Sequence, residues 1–310
     1  MKNKLKSFYS NKIKKPLWNK LQHTYLPKEK VPVASVLEIF INKMLRDGLD
    51  DKASAMAFNF ILSVFPGVIF LFTLLPFFPI PALAENILDL LSEAFPESIY
   101  EPIETTIIDI VENQRGRLLS FGFISAVFFA TNGIRTMMIT FNRSYYIVED
   151  RGFLKRVFVS IIIGTLLLLS VILIVAISFY VNIYLFRLQE LIGAGNLLTQ
   201  YVLVVMKYVL FLSFFIITIA ITYYIAPATK KTLRFFSPGV FTASFLCLLF
   251  TFAFSFYVNN FDSYNRLYGS IGALMGAMVW VYSISIMLLI GFELDVSIDI
   301  ARKKIKAKKS

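Results

Sequence analysis

Asn59 and Ser63 stand one helical turn apart, one turn before Pro66, inside an apolar run. A polar side chain in hydrocarbon is costly and needs a reason. Two reasons fit. These groups can satisfy backbone atoms freed by a proline kink or bind neighbouring helices, or they can line a substrate site in a broken helix, as in many transporters. Asn132, Gly133 and Arg135 lie toward the end of a second apolar run, where Arg135 either snorkels to headgroups or binds an anionic group. Lys207 is similarly placed inside another run. The densest cluster is Tyr257, Asn259, Asn260, Asp262, Tyr264, Tyr268, Gly269, Ser270 and Gly272, before the last run. Interfacial tyrosines are ordinary, but a Gly-rich helix start also turns its positive dipole end toward these groups, which suits an anion. Gly269, Gly272 and Gly276 fit close helix packing.

This set can bind but is not equipped to make or break bonds, so no catalytic residue, metal ligand or cofactor is expected. The single histidine, His23, lies in a remote basic stretch and cannot assemble a metal site or a Ser-His-Asp triad. The single cysteine, Cys247, sits between Leu246 and Leu248 as a packed small hydrophobe and excludes an intramolecular disulfide. No Asp or Glu falls in the middle of an apolar run; Glu293 lies near the end of the last one. That argues against coupling through an intramembrane carboxylate. No phosphate-binding lysine loop and no nucleophile elbow is present.

The elements that must position these residues follow from composition. The 310 residues are 57% hydrophobic, with 32 Phe. The apolar residues are gathered in blocks of about 20, which is what a helix needs to cross ~30 Å of hydrocarbon. An all-α, polytopic helix bundle with about six membrane-spanning helices is expected over residues 53–294. The spans are near Ala53–Phe78, Leu118–Thr140, Val157–Leu185, Tyr201–Ala226, Phe236–Val258 and Ser270–Leu294. Residues 1–32 read as a basic arm, retained because no signal-peptide core or cleavage site is present. Residues 33–48 read as an interfacial amphipathic helix. Val33, Val36, Leu37, Phe40, Ile41, Met44 and Leu45 are on one face, Glu38, Asn42, Lys43 and Arg46 on the other, with Gly48 ending it. Pro66 should bend the first span. The loop 79–117 carries Glu85, Asp89, Glu93, Glu97, Glu101, Glu104, Asp109 and Glu112 between apolar residues, the pattern of two short helices.

Charge sets the orientation. The net charge is +11, but it does not point to nucleic acid, because the basic residues flank the apolar blocks. Residues 1–52, 141–156, 227–236 and 295–310 hold 25 Lys and Arg, against four in 79–117, 186–199 and 260–269. The positive-inside rule then puts both ends in the cytoplasm, with 295–310 as a basic tail, and predicts anionic lipid contacts at the cytoplasmic face.

Several segments, in order, resemble the YihY/BrkB-type bacterial membrane proteins. Residues Ala53 to Pro66 (ASAMAFNFILSVFP) are similar to that family's opening span. Phe141-Asn142-Arg143-Ser144-Tyr145-Tyr146, followed by Arg151 and Leu154-Lys155-Arg156, resembles its segment after the second span. Ser237-Pro238-Gly239, Tyr268 to Ala273, Trp280 and Gly291-Phe292-Glu293-Leu294 complete a likeness over about residues 35–300. Phe58, where a tyrosine is expected in many relatives, is a departure. The resemblance implies a helical protein of the bacterial inner membrane. A ribonuclease label attached to some relatives finds no support in one histidine and no clustered carboxylates. The leading functional expectation is transport or flipping of an anionic lipid or envelope precursor. The alternative is a non-transporting scaffold that meets an envelope protein, or a second copy of itself, through its acidic loop and basic tail.

Overall fold

In the computed structural model the described residues are 22–25, 31–74, 88, 104–105, 108, 116–167, 169–170, 173, 197–228, 235–260 and 262–309. Their secondary structure is helical apart from one isolated bridge between Tyr25 and Pro32. The helices are α1 Val33–Arg46, α2 Leu49–Leu74, α3 Gly116–Ser144, α4 at 153–167, α5 Leu197–Ile225, α6 Pro238–Asn260 and α7 Asp262–Lys309. Among the described residues, three helices are long and apolar enough to cross a membrane, through Tyr208–Ile225, Pro238–Val258 and Met275–Ala307. The expected count of about six therefore has three such helices behind it here. The third expected span is helical as far as its described residues reach, and the expected outer-loop helices fall almost wholly outside the described residues.

Gly48 closes α1 as its position predicts. It adopts φ +56°, where a side chain would be strained, and the Asp47 N–H donates to the Lys43 carbonyl at 2.9 Å. Asp50 and Asp51 occupy the first turn of α2, where the helix dipole favours acidic groups. Helix α2 continues through Pro66 without ending. Helix α3 stops in a Schellman motif. Tyr146 takes φ +57° while its N–H donates to the Arg143 carbonyl at 3.0 Å, and the Ile147 N–H donates to that of Asn142 at 2.9 Å.

Helix α6 starts on the Ser-Pro-Gly triplet. The Ser237 hydroxyl accepts from the Val240 N–H at 3.2 Å, an N-cap with proline at the first helical position. Gly239 then lets α6 lie directly on α7. A Cβ on Gly239 would overlap the Gly291 carbonyl oxygen, and one on Gly291 would sit 2.5 Å from the Gly239 oxygen and 2.6 Å from Ala243 Cβ. Around this crossing runs a buried cluster from all the helices α2 to α7. Phe141 stacks on Phe292 with centroids 4.0 Å apart, and Tyr223 meets both rings edge-on at 5.6 and 5.2 Å.

Helix α7 differs from expectation. At 48 residues it is ~72 Å long, so residues 295–309 continue the helix and do not form a separate tail. The reason is a second apolar face hidden among the lysines. Ile298 and Ala301 pack with Val31 and Val36 of the α1 region, with Ile305 beside them. Helix α1 is thereby docked on the far end of α7, and its outer face leaves Leu45 62% exposed.

Candidate functional site: a buried charged layer at one end of the bundle

Three helix ends, those of α1, α2 and α3, meet around Glu293 of α7, which is 1% exposed. Its Oε1 lies 3.3 Å from Lys52 Nζ at the start of α2 and accepts from the Ser144 hydroxyl at the end of α3 at 2.5 Å. Its Oε2 lies 3.2 Å from Lys43 Nζ of α1, as a charge contact and not an aligned hydrogen bond. Lys43, 6% exposed, also donates to the Ser144 carbonyl at 2.6 Å and to Asp47 at 3.2 Å, and stands 4.7 Å from the centre of the Tyr146 ring. Asp47 reaches Lys52 at 4.0 Å. Two lysines and two carboxylates thus balance one another in a nearly dry layer, over the aromatic cluster of Phe141, Tyr223 and Phe292.

Two further carboxylates tie loops to helix ends. Asp295, also buried, accepts from the Ser237 hydroxyl and from the Gly239 N–H at 2.8 Å, and so places a carboxylate on the N-terminus of α6. Glu149 forms a clasp after α3. Arg151 Nε and Nη2 donate to it at 2.6 and 2.7 Å, and Asn142 donates at 2.7 Å. The same Arg151 donates to the Ile225 and Ala226 carbonyls at 3.3 and 2.7 Å, which caps the C-terminus of α5 with a cation. Asn142 Oδ1 accepts from the Ala228 N–H at 2.7 Å. The Asn142–Arg151 motif therefore works as a staple between two loops.

Burial pushes the Glu149 carboxyl up, but the hydrogen bonds and charge of Arg151, with help from Asn142, outweigh it and hold the group below the ordinary carboxylate range. A depressed acid stabilises the fold above its unfolded value, and that stability is lost as pH falls through the folded value. Thermal midpoints should therefore drop as pH is lowered below about 4.3, the ordinary glutamate value. Glu149→Gln should flatten that part of the curve; an unchanged profile in this variant would show that the clasp does not carry it.

Of the binding candidates read from sequence, Asn59, Ser63, Asn132, Arg135 and Tyr257 have described side chains. Asn132 Nδ2 donates to Asn59 Oδ1 at 2.9 Å, and Asn59 Nδ2 donates to the Ala55 carbonyl at 2.8 Å. Gly133 lies against the Asn59 backbone, so the pair is an interhelical bond at a close crossing of α2 and α3. Ser63 donates to the Phe60 carbonyl at 2.6 Å, so it does not reach the carbonyl that Pro66 leaves without a donor. Arg135 is exposed on α3 and Tyr257 on α6. The side chains of Lys207, Asn259, Asn260, Tyr264 and Tyr268 lie outside the described residues, although their backbone is helical. If Asn59 and Asn132 serve packing, Asn132→Ala should lower stability by about 1 kcal/mol, read as a thermal midpoint in detergent. No change would remove that role.

Sequence reasoning missed Lys43, Lys52, Ser144 and Asp295, and put Lys43 on the polar face of α1. Lys43 stands seven residues after Val36, on the same helix face, and that spacing was the available signal.

The family model described as virulence factor BrkB matches residues 40–310. A Bacillus subtilis (strain 168) protein named putative ribonuclease-like protein YfkH is 28% identical over 268 residues, covering 86% of this chain and 96% of that protein. A UPF0761 membrane protein of Pseudoalteromonas atlantica is 27% identical over 292 residues, covering 92% of each. The UPF0761 membrane protein NTHI0384 of Haemophilus influenzae is 24% identical over 262 residues, covering 84% of this chain and 94% of that protein. No solved structure matches the chain.

Proposed function

This chain belongs to the virulence factor BrkB family of membrane proteins, and from that premise we propose that it moves an anionic lipid or envelope precursor across the bacterial cytoplasmic membrane. In this reading six spans cross the bilayer, both chain ends are cytoplasmic, and the Glu293 layer is the closed gate on the cytoplasmic side. The proposed orientation is supported by the 25-to-four bias of basic residues between alternate loops.

The observation that carries the reading is the buried layer of Lys43, Asp47, Lys52 and Glu293. Buried ion pairs add little net stability, because desolvation offsets their attraction, and apolar side chains of similar volume often do as well. Their advantage is that helices joined through charges have two discrete arrangements, paired or separated and hydrated. That suits a gate. The charges engage one another and leave no free acid, base or nucleophile there, so the reading is of a non-enzyme, and the ribonuclease-like name of the Bacillus relative is not carried over.

The test is flux. The purified chain is reconstituted in vesicles with fluorescent phosphatidylglycerol, and movement between leaflets is followed by chemical quenching. Flux above that of empty vesicles, greater for phosphatidylglycerol than for phosphatidylcholine, is expected. Flux equal to that of empty vesicles across several anionic lipids would sink transport. A specific observation favours the scaffold alternative, namely that Asn59 and Asn132 bond each other. A scaffold predicts a stable crosslinked partner that is lost on deletion of residues 85–112.

A further inference from the structure

Between α1 and the far end of α7 lies a groove of about 500 Å³, within the ~300–1,000 Å³ of small-ligand sites. Lys43, Arg46 and Lys304 bring three cations to its wall. Lys43 is already engaged by Asp47 and Glu293. Arg46 and Lys304 are exposed, come from two different helices, and form no ion pair among the described residues. Lys303, one residue away, is instead held by Asp299 at 2.8 Å. With Lys43 and Lys52 balanced by Asp47 and Glu293, the charges left at the groove are Arg46 and Lys304 against Glu38. The balance is positive, and Ser35 and Tyr146 add neutral hydroxyl donors at the wall.

We propose that this groove binds a phosphate group, supplied by an anionic lipid headgroup or by a free phosphate compound. An arginine fork can take two phosphate oxygens while a lysine acts as a point charge, so Arg46 and Lys304 complement each other. Tyr146 is held at the rim, 73% exposed, by its left-handed backbone and by Lys43 against its ring. Ile41 and Leu45 of α1, which do not line the groove, are exposed beside it. That is the pattern of a helix lying in a membrane interface, at the depth where lipid phosphates are found. The inference rests on the membrane setting of the family and is independent of transport, so loss of flux with retained binding would remove only the latter.

The full chain in detergent is titrated with dihexanoyl-phosphatidylglycerol, dihexanoyl-phosphatidylcholine and inorganic phosphate, with heat of binding as the readout. Saturable binding of the phosphatidylglycerol is expected, and much weaker binding of the phosphatidylcholine, whose phosphate is accompanied by a choline cation that the positive wall repels. Competition by inorganic phosphate at similar affinity assigns the site to free phosphate compounds; phosphatidylglycerol binding alone assigns it to lipid. The double variant R46Q/K304Q should weaken binding roughly fivefold per charge removed. K306Q, exposed on the same helix outside the groove, should leave it unchanged. Unaltered affinity in R46Q/K304Q, equal loss in K306Q, or groove-dependent binding of an acidic peptide in place of any phosphate compound overturns the proposal. Both removed cations are exposed, and a thermal midpoint matching the wild type certifies the double variant as folded.

Discussion

Gly239→Ala should leave almost no correctly folded protein. The added methyl would overlap the Gly291 carbonyl oxygen and stand 2.5 Å from the Asp295 carboxyl carbon. Neither neighbour is the free end of a flexible chain, because one is backbone and the other is fixed on the N-terminus of α6. The two helices must separate, and with them go the Gly239 N–H to Asp295 bond and the packing of Ala243 and Tyr223 against Gly291. Overpacking alone costs about 1–3 kcal/mol, and a buried carboxylate left short of donors adds about 1–3 kcal/mol or more. The sum is a large part of a typical stability of ~5–15 kcal/mol. Yield of monodisperse protein in detergent and the thermal midpoint read this directly. A variant that purifies normally with a midpoint within a few degrees of the wild type would mean that α6 and α7 do not touch here.

Glu293→Gln is the second large effect, and it acts through charge and not through volume. The glutamine keeps the shape but leaves Lys43 and Lys52 buried with only Asp47 to balance them. Removing one partner of a buried pair costs about 3–5 kcal/mol. The double variant Lys43→Met/Glu293→Leu removes one charge of each sign and leaves Lys52 facing Asp47. It should therefore be more stable than Glu293→Gln alone, although it changes twice as many residues. If instead the double variant loses at least the sum of the two single losses, the layer is not held by charge balance, and the gate reading loses its basis.

The helical, membrane-type character of the chain was legible because apolar blocks leave a signal in any window of the sequence. Helix ends were legible for the same local reason. Gly48 and Ser237-Pro238-Gly239 carry backbone chemistry that needs no distant partner to be recognised. The charged layer was not legible, because its members come from positions 43, 47, 52, 144 and 293, and nothing local says that they meet. A lysine on an amphipathic helix reads as solvated unless its counter-charge is known, so Lys43 was placed with Glu38 and Arg46 on the wrong face. The lysines of 302–309 similarly masked Ile298, Ala301 and Ile305, and a helical extension read as a tail. In the other direction, Asn59 and Asn132 stood out in the sequence as costly polar groups. Cost alone does not tell a ligand site from a helix pair, and their partners proved to be each other and the backbone.

The docking of α1 on the last helix also bears on when the protein can finish folding. Lys43 and Lys52 leave the ribosome early, whereas Glu293 follows Lys43 by about 250 residues. At synthesis rates of roughly 5–20 residues per second, those lysines have only Asp47 for on the order of 10–50 s, until Glu293 is made. Until then the amphipathic helix has no apolar seat, since Ile298 and Ala301 are not yet made. The first helix is therefore placed last. Closure of the bundle at this end waits for the final helix, and a chain stalled before residue 293 stays open there, with two lysines sharing the single counter-charge of Asp47.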